Sequence, residues 1–140
     1  MAEKIEDYAM IGDCKTAALV SRHGSIDWLC LPRFDSMACF ASLLGTDANG
    51  YWRIAPAGSR HISRRAYIDG SLVLTTRVES RRGVVELTDF MPTGLASSHV
   101  VRIVTGIEGR VKMTSSLNVH FDYGMSAPCE PRRPTAAPRR

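Results

Sequence analysis

The sequence predicts an all-β protein: an antiparallel β-sandwich with one short helix and a disordered C-terminal tail. Three observations predict it. Apolar and polar residues alternate with a period of two through the middle of the chain. Turn residues interrupt that alternation at short intervals, and no strand–helix–strand pattern signals a parallel sheet. The 140 residues, 44% hydrophobic and 23% charged, suit one domain with a core of its own.

Taken in order, Thr16–Ser21 reads as a short strand, and Arg22-His23-Gly24-Ser25 as a turn in which Gly24 adopts positive φ. Ile26–Leu31 is the second arm of that hairpin, stopped by Pro32. Ser36 is a plausible N-cap, which predicts two helical turns over Met37–Leu44 ended by Gly45. Gly50–Pro56 returns to strand character, with Tyr51 and Trp52 on opposite faces. In Ser71–Ser80, Leu72, Leu74, Thr76 and Val78 share a face. After the turn Arg81-Arg82-Gly83, Val85, Leu87, Asp89 and Met91 share another. Val100–Val104 and Val111–Phe121 follow as strands flanking Gly106 and Gly109, which predicts a hairpin turn between them. The second puts Val111, Met113, Leu117, Val119 and Phe121 on one face. Period-two strands joined by short turns build antiparallel sheets, and this many build a sandwich.

Beyond Gly124 the composition changes. Residues 128–140 hold four prolines and no aliphatic side chain larger than Ala, too little apolar surface to offset the entropy of ordering. The expected division is therefore a sandwich over 1–124 and a disordered tail over 125–140.

The net charge of +4 is concentrated in that tail. Arg132, Arg133, Arg139 and Arg140 against Glu130 give it +3 and leave the body at +1. A nearly neutral body without clustered Lys/Arg and stacking aromatics does not read as a nucleic-acid surface. Cys14, Cys30, Cys39 and Cys129 form no CxxC pair, so a zinc site is not expected, and Cys30 reads as a buried free thiol. His23, His61, His99 and His120 lack metal-ligand spacing, and no cofactor is implied. The N-terminus is charged and has no signal-peptide apolar stretch, and no apolar run is long enough for a membrane span. The expectation is a cytoplasmic protein with reduced cysteines.

Several strings then stand out: Ile5-Glu6-Asp7-Tyr8-Ala9-Met10-Ile11-Gly12-Asp13, Thr16-Ala17-Ala18-Leu19-Val20, and Gly24 through Ser36 with its Ile26-Asp27-Trp28-Leu29-Cys30-Leu31-Pro32-Arg33-Phe34-Asp35 core. Asp89-Phe90-Met91-Pro92 and Phe121-Asp122-Tyr123-Gly124 follow in order. Together, over roughly residues 5 to 124, they resemble the N-terminal domain of bacterial family 15 glycoside hydrolases, the glucoamylase and trehalase-like enzymes. The resemblance implies a β-sandwich followed by a catalytic (α/α)6-barrel, whose two glutamates cleave an α-glucosidic bond with inversion. Those glutamates would lie downstream, so no catalytic residue is carried over, and a truncated, inactive product is expected. The chain's own Asp89 and Asp122 read as turn or strand-end hydrogen-bonding groups, and Glu79 and Glu86 as solvated strand residues.

The candidate site is the segment around Pro32: Asp27, Trp28, Arg33, Phe34 and Asp35. Ring faces meet a sugar's C–H surface, and Arg or Asp meets its hydroxyls. Three readings stay open. The segment is a pocket rim or interface facing the barrel, or an independent site for an α-glucoside, or a local Arg33–Asp35 ion pair beside a core Trp28. A stand-alone carbohydrate-binding or protein-interaction module is the alternative function. Trp28, Phe34, Met37, Phe40 and Leu43 are the expected apolar patch that a barrel would cover, and through which the uncovered chain would self-associate.

Overall fold

The computed structural model describes residues 3–58 and 61–126, so the expected tail lies outside the described residues from 127 onward. Ten strands make two antiparallel sheets: β1 (Tyr8–Gly12), β2 (Ala17–Ser21), β3 (Ser25–Cys30), β4 (Ala38–Phe40), β5 (Tyr51–Pro56), β6 (Ile62–Tyr67), β7 (Leu74–Ser80), β8 (Gly83–Phe90), β9 (Val101–Gly109) and β10 (Met113–Asn118). The first sheet runs β1-β2-β3-β5-β10, with β4 paired to β3, and the second runs β6-β7-β8-β9. The predicted sandwich is present.

The two sheets meet through their alternating faces. Ile11, Ala18, Val20, Ile26 and Leu29 of the first pack with Leu74 and Met91 of the second. A second cluster joins Ile54 to Val78, Val85 and Leu87. Trp52 packs against both clusters. Burying apolar surface in this way supplies the main favourable term in folding. The hairpin β2–β3 turns at Gly24, whose φ is 75° and whose missing Cβ would collide with the carbonyl oxygen of Ile54, so no larger side chain fits.

A polar link crosses the same interior. Arg102 on β9 donates from Nε to Asp89 Oδ1 at 2.8 Å and from Nη2 to Asp89 Oδ2 at 3.2 Å. It also reaches the first sheet, donating to the carbonyls of Trp52 at 2.6 Å and Gly24 at 2.9 Å. Its guanidinium lies 5.2 Å from the Trp52 ring centre.

Four expectations need correction. Met37–Leu44 is not a helix: Ala38–Phe40 pairs with β3 as β4, and a 3-10 turn covers Ser42–Leu44. Ala38, Cys39 and Phe40 are all buried, and a strand beside β3 buries three consecutive residues where an amphipathic helix would expose one. Ser36 does not cap a helix; its hydroxyl accepts from the Arg33 amide. Second, β9 continues through Gly106 to Gly109 and pairs with β8, while β10 crosses to the other sheet and pairs with β5, so the two form no hairpin. Third, Leu117 and Phe121 are exposed: Leu117 lies on β10, an edge strand of the larger sheet, and Phe121 lies beyond its end at Asn118, in a bridge to Ser126. Fourth, Leu72 is exposed in the turn before β7, held by the Ser71 hydroxyl, which accepts from the Val73 amide and donates to the Ile68 carbonyl.

Candidate functional site

The loop between β3 and β4 opens with a cis Leu31–Pro32 bond. It carries three of the five candidate residues, Arg33, Phe34 and Asp35. Arg33 Nε donates to Asp35 Oδ1 at 3.0 Å, and this pair sits in solvent. The Arg33 side chain, by hydrogen bond and charge, holds the Asp35 carboxyl below its ordinary acidity range. Phe34 and Met37 project from the same loop, 64% and 60% exposed.

The fold sends the other two candidates elsewhere. Trp28 is half-buried and packs on a small cluster of Cys30, Ala38 and Ala41. Its ring lies 6.2 Å from that of Tyr123, tilted by 39°. Asp27 is buried; its carboxylate accepts from the Tyr8 hydroxyl at 2.8 Å and from the Ser25 hydroxyl. Burial and this bond to Asp27 push the Tyr8 hydroxyl's pKa well up, so it stays protonated and donating.

The Trp28–Tyr123 contact brings together two strings that lie far apart in the chain. Tyr123 sits in a 3-10 turn, Asp122–Gly124, packed near β4, with Asn49 Nδ2 donating to the Tyr123 carbonyl at 2.9 Å. Asp122 and Tyr123 both adopt positive φ, an uncommon conformation for side chains of this kind. Tyr123 and Met125 are exposed. Each of the two segments thus carries exposed apolar side chains, Phe34 and Met37 on one and Tyr123 and Met125 on the other. Of the five apolar residues expected to form a patch, only Phe34 and Met37 are exposed. Phe40 is core, and Trp28 and Leu43 are half-buried. Tyr123 was legible only as part of a family-like string; nothing local to residues 121–124 announces Trp28 as its neighbour.

Carboxylates elsewhere are committed to structure. Asp89, next to last in β8, is a strand-end hydrogen-bonding group, locked to Arg102 in the interior. Asp13 Oδ1 accepts from the Lys15 and Thr16 amides, both at 2.9 Å. Burial alone would raise its pKa, but bonds from Ser98, Thr16 and Lys15 outweigh burial and bring it below the ordinary value. A general acid needs the opposite shift. Among the described residues, no three His, Cys, Asp or Glu side chains gather as a metal set. No helix there is long and apolar enough to cross a membrane.

This two-sheet architecture, with its conspicuous loop after the third strand, defines a β-sandwich module. Comparison with known proteins identifies which kind. The family described as trehalase-like, N-terminal matches residues 1–126, and the chain belongs to that family. It is 31% identical over 138 residues to a trehalase of Mycolicibacterium smegmatis, covering 85% of this chain and 20% of that protein. It is 32% identical over 131 residues to a trehalase of Thermoplasma volcanium, covering 89% of this chain and 21% of that one. The Mycobacterium tuberculosis trehalase is 31% identical over 138 residues, at 85% and 20% coverage. The chain thus spans about a fifth of the length of these curated relatives. No solved structure gives a match.

Proposed function

We propose that this domain breaks no bond itself and packs against a catalytic domain in an enzyme of the family 15 glycoside hydrolase kind, one that hydrolyses the α-glucosidic bond of trehalose or an α-glucan with inversion. One observation carries the reading: the loop around Pro32 leaves Phe34 and Met37 facing solvent, and the turn that meets Trp28 leaves Tyr123 and Met125 facing solvent. Large apolar side chains exposed on these two segments are what a covering domain would bury, and an interdomain contact buries hundreds of Å² or more. The Asp13 and Asp35 carboxyls, held below their ordinary pKa, stay ionised and are unsuited to act as a general acid.

A stand-alone carbohydrate-binding module is less well supported. It would present coplanar exposed rings, whereas Trp28 is half-buried and tilted against Tyr123. We also read the compartment as cytoplasmic, supported by the buried free thiols Cys30 and Cys39.

The test is a chimera in which residues 1–126 replace the matching segment of the Mycolicibacterium smegmatis trehalase. The expected result is trehalose hydrolysis by the chimera, its loss or destabilisation in a Phe34→Ser/Met37→Ser chimera, and no turnover by the isolated chain. Turnover by the isolated chain, or a chimera indifferent to both substitutions, would overturn the reading.

A further inference from the structure

Strand register sends the connections of the sandwich to two opposite ends, and the ends differ in chemistry. The β1–β2 turn, the β3–β4 loop, the β6–β7 turn and the β8–β9 loop share one end. They follow from the pairing of Gly12 with Ala17, Ala18 with Leu29, Tyr67 with Leu74 and Phe90 with Val101. Leu31, Phe34, Met37, Ile68, Leu72 and Leu95 are exposed on three of these connections. The other end holds the turns at 22–24, 81–82 and 110–112. They carry exposed Arg22, Arg81, Arg82, Arg110 and Lys112, and no exposed large apolar side chain lies in them. A charged end is content in water. Large apolar side chains crowded onto the opposite end favour a body that covers them.

Polar groups hold the apolar end together, and the turn from Asp13 to Thr16 is their hub. The Lys15 carbonyl accepts from the Phe34 amide at 3.2 Å. The Lys15 ammonium donates to the carbonyls of Leu95 at 2.6 Å and Ala96 at 3.4 Å. Ser98 donates to the Pro32 carbonyl at 3.4 Å, which ties the β8–β9 loop to the β3–β4 loop directly. The Thr16 hydroxyl fixes the hub to the end of β3, donating to the Cys30 carbonyl at 2.6 Å. Beside the hub, a groove of about 480 Å³ opens between the β1–β2 turn, the β6–β7 turn and the start of the β8–β9 loop. Cys14, Leu72, Val73, Met91 and Pro92 are among its mainly apolar lining. Loops tied to one another through backbone carbonyls have less freedom left to lose when a partner arrives, so this end is organised for contact before the contact is made.

We propose that this end of the sandwich, from Phe34 across the Lys15 hub to the groove at Leu72, is the seat of the catalytic domain, with the basic end left in water. The inference rests on the docking reading above, and it adds the groove and the β6–β7 and β8–β9 connections, which that reading does not use. The chain covers 20% and 21% of two of the trehalases it matches, so most of each relative lies outside the matched segment and supplies the covering body. A small polar ligand would find few hydrogen-bonding side chains in the groove, and an acidic partner would favour the opposite end.

The experiment compares the full 140-residue chain with the trehalase chimera that carries residues 1–126. It follows thiol labelling at the native Cys14, which is exposed and lines the groove, and at an Arg82→Cys variant of each, with the labelled peptides identified by mass spectrometry. The expected result is labelling of Cys14 about tenfold slower in the chimera, with position 82 labelled alike in both. Leu72→Ser/Leu95→Ser should lower the melting temperature of the chimera more than that of the isolated chain, because only the chimera covers these side chains. Equal labelling of Cys14 in both proteins, protection at position 82 instead, or equal effects of the double substitution would each overturn the proposal. The two readings fail differently. An active chimera that responds to Phe34→Ser/Met37→Ser while Cys14 stays fully reactive rejects this seat and keeps the docking; a chimera that neither folds nor hydrolyses trehalose rejects both.

Discussion

The Asp89–Arg102 pair should dominate the response of this domain to single substitutions. Both side chains are essentially inaccessible, at 1% and 0% exposure, so neither charge has water to fall back on. Asp89→Asn leaves a guanidinium buried without its counter-charge, and breaking a buried pair from one side costs about 3–5 kcal/mol. That is a large part of the roughly 5–15 kcal/mol that holds a domain together. At roughly 4 °C per kcal/mol for a domain of this size, the melting temperature should fall by about 15 °C. Arg102→Met should cost at least as much. It strands the carboxylate and also removes the Arg102 bonds to the Trp52 and Gly24 carbonyls, although Gly24 keeps its bond from the Ile54 amide. The double variant Asp89→Leu/Arg102→Met should recover part of this loss, because no lone charge remains, yet stay below wild type through those two carbonyls. Urea denaturation followed by tryptophan fluorescence is the natural assay, since Trp52 lies under the guanidinium. If both single variants stay within about 1 kcal/mol of wild type, the pair behaves like a solvated surface bridge and the dry inter-sheet link is refuted.

Other consequences follow from single positions. Gly24→Ala should lose about 1–3 kcal/mol, because positive φ and the Ile54 carbonyl both oppose a Cβ; an unchanged denaturation midpoint would contradict the tight turn. Asp13→Asn should destabilise at neutral pH, and its effect depends on pH with a definite sign. A carboxyl whose folded pKa lies below its unfolded value adds stability above about pH 4 and gives it up as the pH falls through the folded value. The gap between wild type and variant should therefore close in acid, and a gap that widens below about pH 4 would reverse the assignment. Burial pushes the Cys39 thiol up to about 11 and the Cys30 thiol upward as well, whereas Cys14 is exposed. In a Cys129→Ser background, a thiol reagent at neutral pH should label Cys14 at once and the other two only on unfolding. Prompt labelling of Cys39 would place it outside the core.

How far the sequence reaches depends on what a strand buries. β7 and β8 each show one wet face and one dry face, so Leu74, Thr76, Val78, Val85, Leu87 and Asp89 were assigned to the right side by alternation alone. β6 has the pattern of an edge strand, with Arg64 and Arg65 in the middle of Ile62–Tyr67, and it carries too few apolar residues to announce itself. β4 fails for the opposite reason. Its three residues are all buried, and a short run buried on every side has no period to read. The hairpin expected between Val104 and Val111 failed because glycines mark flexibility without saying which sheet the chain enters next; only the pairing of β10 with β5 decides that.

The same reasoning separates the two surfaces. The loop around Pro32 could be found because its unusual residues are contiguous, and contiguity is what a sequence displays. A separate cleft of about 320 Å³ draws Asp27, Ser42 and Arg53 from β3, a 3-10 turn and β5, and each residue is ordinary where it stands. Asp27 was singled out with its loop neighbours, yet strand alternation turns it away from them toward Tyr8 and Ser25. A carboxylate in the middle of Ile26-Asp27-Trp28-Leu29 is costly unless something accepts it, and that cost was the legible signal. Two hydroxyls meet part of the requirement. Of those two partners Ser25 is local, whereas Tyr8 stands on β1, two strands away across the sheet, and no local pattern announces it.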